Sequence, residues 1–119
     1  MNKICTTIEQ SKKLTELGLS RETSDMFYWC GTDLRIGGYK AQDKDYDVPC
    51  WSLSALLSVI PKHIKDYNVL RIDISDNDFA IWYDEIGYGV NDELPNITKE
   101  SAVDACYEMV TILKERNLL

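Results

Sequence analysis

Two alternating apolar and polar runs, joined by a short polar turn, restrict the fold of this chain more than any other feature. The alternating apolar positions are Leu70, Ile72, Ile74, Phe79, Ile81 and Tyr83. A period of two residues is typical of β-strands that bury one face, and the Asp76-Asn77-Asp78 segment between the runs favours a tight turn. The pattern predicts a β-hairpin over residues 69–84, with Ile72, Ile74, Phe79 and Ile81 facing the core.

Three other segments carry the start and stop signals of helices. Ser101 forms a predicted capping box with Asp104, ahead of a broad apolar stripe. Ser52 is an N-cap candidate, and Gly18 supplies a left-handed residue that stops the first helix. The predicted helices span residues 7–17, 53–60 and 102–116.

The aromatic run near residues 26–30 is followed by a turn signal and predicts a strand, with a shorter return over 34–36. Residues 39–47 and 92–97 are polar and predict loops, and residues 86–90 are a weaker candidate for extending the sheet. The order of elements favours an α+β fold. We therefore expect one domain, residues 1–119, in which a small antiparallel sheet (hairpin 69–84 plus a strand near 26–30) packs against these three helices.

Composition excludes several functional classes. The chain has 119 residues, with 13 basic and 20 acidic side chains and a net charge of −7. This acidity argues against direct binding to nucleic acid or to an anionic membrane surface, because both need clustered Lys and Arg. No signal peptide or membrane-spanning run is apparent, so we expect a cytoplasmic protein.

The acidity is concentrated in one region. Residues 67–98 contain one basic and seven acidic side chains, which gives −6 of the net −7. Such a cluster serves either as a solubilising face or as a docking surface for a basic protein. Trp82 lies on the strand face opposite the predicted core, where it is either an interface anchor or covered by the first helix. The hypothetical contact surface is formed by Trp82, Asp76, Asp78, Asp84 and Glu85.

Candidate catalytic and metal-binding residues are few. The four cysteines, Cys5, Cys30, Cys50 and Cys106, have no CxxC spacing, and we interpret them as buried or half-buried thiols, with a zinc site from distant residues as the alternative. The single histidine, His63, would need Cys30 or Cys50 within reach to form a nucleophilic pair. We expect no cofactor.

The segment from Asp43 to Asp47 has acidic residues at the first, third and fifth positions, as a calcium loop does. Val48 stands where such a loop needs glycine, and Ser54 stands where it needs a closing glutamate. We therefore interpret the segment as a solvated acidic loop and predict no metal site.

Three stretches together resemble a group of small proteins of unassigned function from phages, prophages and other mobile elements of gut bacteria. They are residues 5–19, which begin Cys5-Thr6-Thr7-Ile8-Glu9-Gln10, residues 49–61, which begin Pro49-Cys50-Trp51-Ser52-Leu53, and residues 102–113 with Glu108-Met109-Val110. The resemblance spans most of the chain and carries no assigned catalytic or binding residues. It implies an accessory role during propagation of the phage or element.

Well-formed structural signals combined with absent catalytic motifs favour a non-enzymatic protein-interaction module. Its expected partner is a host or phage protein, and homo-oligomerisation is left open. One alternative is an acidic DNA mimic that inhibits a nucleic-acid-binding protein. The other alternative is an enzyme that uses a cysteine and His63.

Overall fold

The structure, a computed structural model, describes residues 3–119 and has the predicted α+β class. Within these residues the helices are α1 (Ile8–Glu16), α2 (Leu53–Val59) and α3 (Ala102–Glu115). The strands are β1 (Met26–Trp29), β2 (Asp33–Ile36), β3 (Val48–Cys50), β4 (His63–Ile64), β5 (Asn68–Ile74), β6 (Phe79–Glu85), β7 (Gly89–Val90) and β8 (Ile97–Lys99). The three helices and the hairpin β5–β6 agree with the sequence prediction.

The strands form two antiparallel sheets. The first sheet has the order β2-β1-β3, and the second has the order β4-β5-β6-β7, with β8 also paired to β6. The strand predicted near 26–30 and the hairpin predicted at 69–84 therefore belong to different sheets. In the hairpin, Ile72 lies opposite Ile81 and Ile74 lies opposite Phe79.

Three short strands were not predicted. They are β3, β4 and β8. No element is predicted for the residues of β3 and β4, and β8 begins at Ile97, the last residue of a predicted loop. Each has only two or three residues, so no alternation is visible, and β3 contains Pro49, which is tolerated because β3 is an edge strand. Their pairing depends on tertiary neighbours rather than on local sequence.

The first helix is capped at both ends, and it stops at Gly18 as the sequence predicts. The Thr7 hydroxyl accepts the Gln10 N–H at 3.1 Å, and the Gln10 side chain accepts the Thr7 N–H at 3.0 Å. At the other end, Gly18 has φ +91°, and the Leu19 N–H donates to the Leu14 carbonyl at 3.0 Å. This geometry is a Schellman motif.

The cap of α3 differs from the predicted capping box. The Ser101 hydroxyl accepts the Asp104 N–H at 3.2 Å, as expected for an N-cap. The Asp104 carboxylate, however, accepts from Lys3 at 2.8 Å and from Gln10 at 2.9 Å instead of reaching back to Ser101. Asp104 thus ties the amino-terminal segment and α1 to the start of α3, which runs beside α1.

The main core lies between α3, α2 and the second sheet. The buried face of α3 consists of Val103, Ala105, Cys106, Met109, Val110 and Leu113. It packs against β6, β8 and α2. Trp51 and Leu56, which occupy the two positions of a hydrophobic staple at the start of α2, are fully buried in the same core. A second, smaller core under the first sheet contains Cys5, Met26 and Cys50.

The prediction that Ile72 and Ile74 face a covered core is wrong. Both share a strand face with the buried Phe79 and Ile81, but 41% of Ile72 and 74% of Ile74 is exposed. The helices cover β6, whereas the outer part of β5 extends beyond them. Alternation correctly identifies the face of a strand but does not show how far the covering helix reaches.

Among residues 3–119 no helix combines the length and apolar character that crossing a membrane requires.

Candidate functional site

The outer half of the β5–β6 hairpin projects from the body of the protein. Every residue from Arg71 to Asp78 is exposed. The turn is closed by the Ser75 N–H, which donates to the Asp78 carbonyl at 2.9 Å. We call residues 71–78 the hairpin tip. It is ordered by its own ladder and turn hydrogen bonds rather than by packing against a helix.

A groove of about 990 Å³ lies between the hairpin tip and the start of α3. One wall consists of residues 74–79, and the other consists of residues 99–104. Lys3 and Leu53 complete the lining. Apolar side chains from the two walls and α2, including Ile74, line the groove together with charged groups. The groove can therefore take an apolar side chain flanked by charged ones.

The carboxylates of the hairpin tip are not neutralised by ion pairs. Among the described residues, neither Asp73, Asp76 nor Asp78 forms a salt bridge. The two groove lysines already have acidic partners, because Lys3 lies 2.8 Å from Asp104 and Lys99 lies 3.2 Å from Glu108. The hairpin tip is consequently a locally negative surface.

The residues predicted to form one contact surface separate into two groups. Asp76 and Asp78 lie at the hairpin tip and line the groove. Trp82, Asp84 and Glu85 lie farther along β6, and Trp82 and Asp84 share the face opposite the buried Ile81. The structure therefore brings only Asp76 and Asp78 to the groove.

Trp82 is half-buried rather than free. Its indole Nε1 donates to Asp84 at 2.8 Å, and the other Asp84 oxygen lies 3.2 Å from Arg71 Nε. Arg71 is the cross-strand neighbour of Trp82. The first helix, which was the alternative cover for Trp82, packs against β3 and α3. Asp84 thus has local partners on both oxygens, whereas the tip carboxylates form no ion pair with any residue of 3–119.

Two thiols meet in the smaller core. The Sγ atoms of Cys5 and Cys50 are 3.6 Å apart, and the Tyr28 hydroxyl lies 3.8 Å from Cys5 Sγ. The hydrogen bond from Cys50 lowers the pKa of Cys5 to about 7, against the opposing effect of burial. The same contact and burial raise the pKa of Cys50. No sequence signal indicated this pair, because the two cysteines are far apart in the chain and follow no motif.

The cysteine–histidine hypothesis gains no geometric support. His63 is exposed in β4 of the second sheet, whereas Cys50 lies in β3 of the first sheet and contacts Cys5. Cys30 is exposed in the turn after β1, with φ +52°. The prediction of buried or half-buried thiols fits the other three cysteines, which are buried, but not Cys30.

The acidic loop is organised around Asp47. Its two carboxylate oxygens accept the backbone N–H groups of Cys30 and Asp43, each at 2.8 Å. These hydrogen bonds lower the pKa of the Asp47 carboxyl. Within residues 3–119 no cluster of three or more His, Cys, Asp or Glu side chains is arranged to hold a metal ion. The role of Asp47 is to join the loop to the end of β1.

Comparison of the chain with protein-family models, curated proteins and solved structures found no match.

Proposed function

We propose that this protein is a non-enzymatic interaction module that contacts another protein through the hairpin tip and the adjoining groove. The observation that carries the proposal is the continuous exposure of Arg71 to Asp78 beside the groove. A projecting, hydrogen-bonded hairpin presents a defined surface with little ordering cost on binding. The tip combines exposed isoleucines with carboxylates that form no ion pair within the part of the chain that the structure describes.

The resemblance to phage and mobile-element proteins supports a proposal for the cell compartment and the kind of partner of this module. We place the protein in the cytoplasm of a host cell as an accessory factor, with a host or phage protein as partner. An apolar patch with a charged surround is a common feature of protein contacts. The chemistry of the tip fits a basic protein surface.

Neither alternative function is favoured by the geometry. A DNA mimic needs carboxylates spaced as phosphates are, but Asp84 is engaged by Arg71 and Trp82, and Lys3 and Lys99 line the groove. An enzyme with a cysteine and His63 needs the two side chains in contact, and Cys50 instead contacts Cys5.

Site-specific crosslinking in the native host tests the proposed surface. A photoreactive phenylalanine analogue replaces Asn77, at the centre of the hairpin turn, and irradiation precedes purification under denaturing conditions. We expect one dominant crosslinked protein, identified by mass spectrometry. The matched control places the same analogue at Lys12, which is exposed on α1.

Substitution of the tip carboxylates provides the second arm. Asp76→Asn with Asp78→Asn should reduce the crosslinked yield, because the positive partner loses its attraction. Asp92→Asn with Glu93→Gln removes the same charge from the loop beyond β7 and should leave the yield unchanged. Equal yields from the Asn77 and Lys12 positions would refute the hairpin tip as the contact surface.

A further inference from the structure

One edge of β5 faces away from β6. The hydrogen bonds of the hairpin show which residues of β5 direct their N–H and carbonyl groups toward that outer edge. The Ser75 N–H donates to the Asp78 carbonyl, and the Ile86 N–H donates to the Tyr67 carbonyl. In an antiparallel pair, residues alternate between those bonded to the partner strand and those directed outward. Odd-numbered residues of β5 therefore bond to β6, and even-numbered residues point to the outer edge.

Only the first part of this edge is occupied. The Leu70 N–H donates outward to the Lys62 carbonyl at 2.9 Å, and β4 pairs with Asn68 and Val69. No strand among residues 3–119 pairs with the outer edge beyond Leu70. The N–H and carbonyl groups of Ile72 and Ile74 thus form an open docking edge at the hairpin tip.

The apolar side chains along this edge extend from the groove wall that contains Ile74. Ile72 and Ile74 lie on the same face as the buried Phe79 and Ile81, and Ile74 lines the groove. A strand added beside β5 would place every second side chain on this face. Apolar side chains at those positions would cover the exposed surfaces of Ile72 and Ile74.

Charge determines which strand fits. Asp73 points to the opposite face, and Asp76 and Asp78 flank the end of the edge, all three exposed and outside any salt bridge of the described residues. Lysine or arginine at the alternate positions of an added strand would lie beside Asp73. The carboxylates at the turn would attract a further cation.

A second copy of this chain fits the same edge less well. The symmetric antiparallel register that uses the outward groups of both Ile72 and Ile74 sets Asp73 directly opposite Asp73 of the other copy. Like charges directly opposite each other destabilise a strand pair. Shifting the register toward Leu70 meets β4, which already occupies that position.

From these contacts we infer that β5 binds an extended segment of a partner protein as an added antiparallel or parallel strand, with apolar and basic residues alternating in that segment. This inference rests on the proposed function and specifies its binding mode. It is an instance of β-strand addition, in which main-chain hydrogen bonds supply affinity and alternate side chains supply specificity.

A proline substitution tests the edge directly. Ile74→Pro removes an outward N–H while leaving the bonds to β6 intact, and edge strands tolerate proline. Ile74→Val keeps the N–H and most of the apolar side chain. The matched control is Ile36→Pro in edge strand β2, where Ile36 is 88% exposed. Because the Gly37 N–H donates to the Asp25 carbonyl, the neighbouring Ile36 directs its N–H outward, as Ile74 does.

The probe is a fluorescent peptide of alternating lysine and valine, roughly eight residues long, the length of an ordinary strand. Fluorescence anisotropy with the full chain should show salt-sensitive binding. We expect Ile74→Pro to weaken binding about tenfold, because the variant loses one main-chain hydrogen bond to the peptide and the local strand geometry is disturbed. Ile74→Val and Ile36→Pro should bind as the parent protein does, and circular dichroism confirms that each variant is folded.

Each other outcome overturns the inference. Absence of binding by the parent protein, equal binding by Ile74→Pro, or equal binding of an alternating glutamate and valine peptide would each do so. A concentration-dependent dimer that Ile74→Pro dissociates would assign the edge to a second copy instead. If crosslinking from Asn77 persists while Ile74→Pro has no effect, the interaction module stands and only strand addition fails.

Discussion

Cys5 and Cys50, which are 45 residues apart in the chain, place their sulfur atoms 3.6 Å from each other in the smaller core. The Cys50 thiol donates a hydrogen bond to the Cys5 sulfur and so stabilises the Cys5 thiolate. Cys5 is therefore the first of the two thiols to lose its proton. The lowered pKa of Cys5 therefore depends on the hydrogen-bond donor at position 50.

We predict that Cys50→Ala raises the pKa of Cys5 and that Cys50→Ser, which keeps a donor, leaves it lowered. Ultraviolet thiolate absorbance, titrated from about pH 5 to about pH 9 in a Cys30→Ser background, measures the change. The same titration gives the sign for stability. Because the pKa of Cys5 in the folded protein lies below the ordinary 9.0, ionisation of Cys5 contributes stability that is fully present above pH 9.0. This contribution is lost as the pH falls through the lowered folded pKa of about 7. Identical titrations for the alanine and serine variants would contradict the assignment.

Alkaline pH should act in the opposite direction through Cys106. Burial raises the pKa of Cys106 to about 12, so above its ordinary 9.0 the unfolded chain releases a proton that the folded chain keeps. The free energy of unfolding should therefore fall as the pH rises from 9 toward 12. Cys106→Ala should make this decline shallower in urea unfolding experiments, and the remaining slope comes from the other buried groups whose pKa is raised, which are Cys50, Tyr28 and Tyr83. Met109→Leu, on the same buried helix face, should change the stability without changing the slope.

At acidic pH, the Asp47 carboxylate should limit stability. Its pKa is lowered by the N–H groups of Asp43 and Cys30, so its contribution is present above the ordinary 3.8 and is lost as the pH falls through the lower folded value. Asp47→Asn should reduce the free energy of unfolding near neutral pH, and the difference from the parent should shrink in acid. Asp45→Asn, in the same loop but exposed, should have little effect at either pH. Equal effects of both substitutions would argue against this role.

The packing of α3 can be tested with one residue type in two environments. Leu113 is fully buried, and Leu113→Ala should lower the free energy of unfolding by about 2–5 kcal/mol through lost burial and a residual cavity. Leu34→Ala, at an exposed position in edge strand β2, should cost about 1 kcal/mol or less. Chemical denaturation at constant pH compares the two variants. Similar losses would show that the helix does not cover the core as described.

Local signals explain the parts of the fold that could be predicted. The caps at Thr7 and Ser52 and the stop at Gly18 depend on residues within a few positions, so the sequence specifies them. The strands β4 and β8 have too few residues to display a period, and their pairing is determined by distant partners. Asp104 also shows that distant partners can replace a local contact, because its carboxylate accepts hydrogen bonds from Lys3 and Gln10 instead of completing the capping box with Ser101.

The candidate site was predictable only in part. The concentration of acidic residues in the sequence indicates the hairpin, and the structure places Asp76 and Asp78 beside the groove. Exposure of Ile72 and Ile74 was not predictable, because their alternation matches that of the buried Ile81. The reach of a covering helix is a tertiary property. The contact between Cys5 and Cys50 likewise arises from the folding of two remote segments onto each other.

The parallel course of α1 and α3 affects where a reporter can be attached. Lys3 lines the groove at the start of α3, whereas Gly18 lies beside Lys114 near the end of that helix. The helix is 14 residues long, which separates its ends by roughly 20 Å. A label attached at the exposed Glu115, the last residue of α3, would lie at the end of that helix remote from the groove. A label attached at Lys3 would lie in the groove itself, so the end of α3 is the better position for labels in binding experiments.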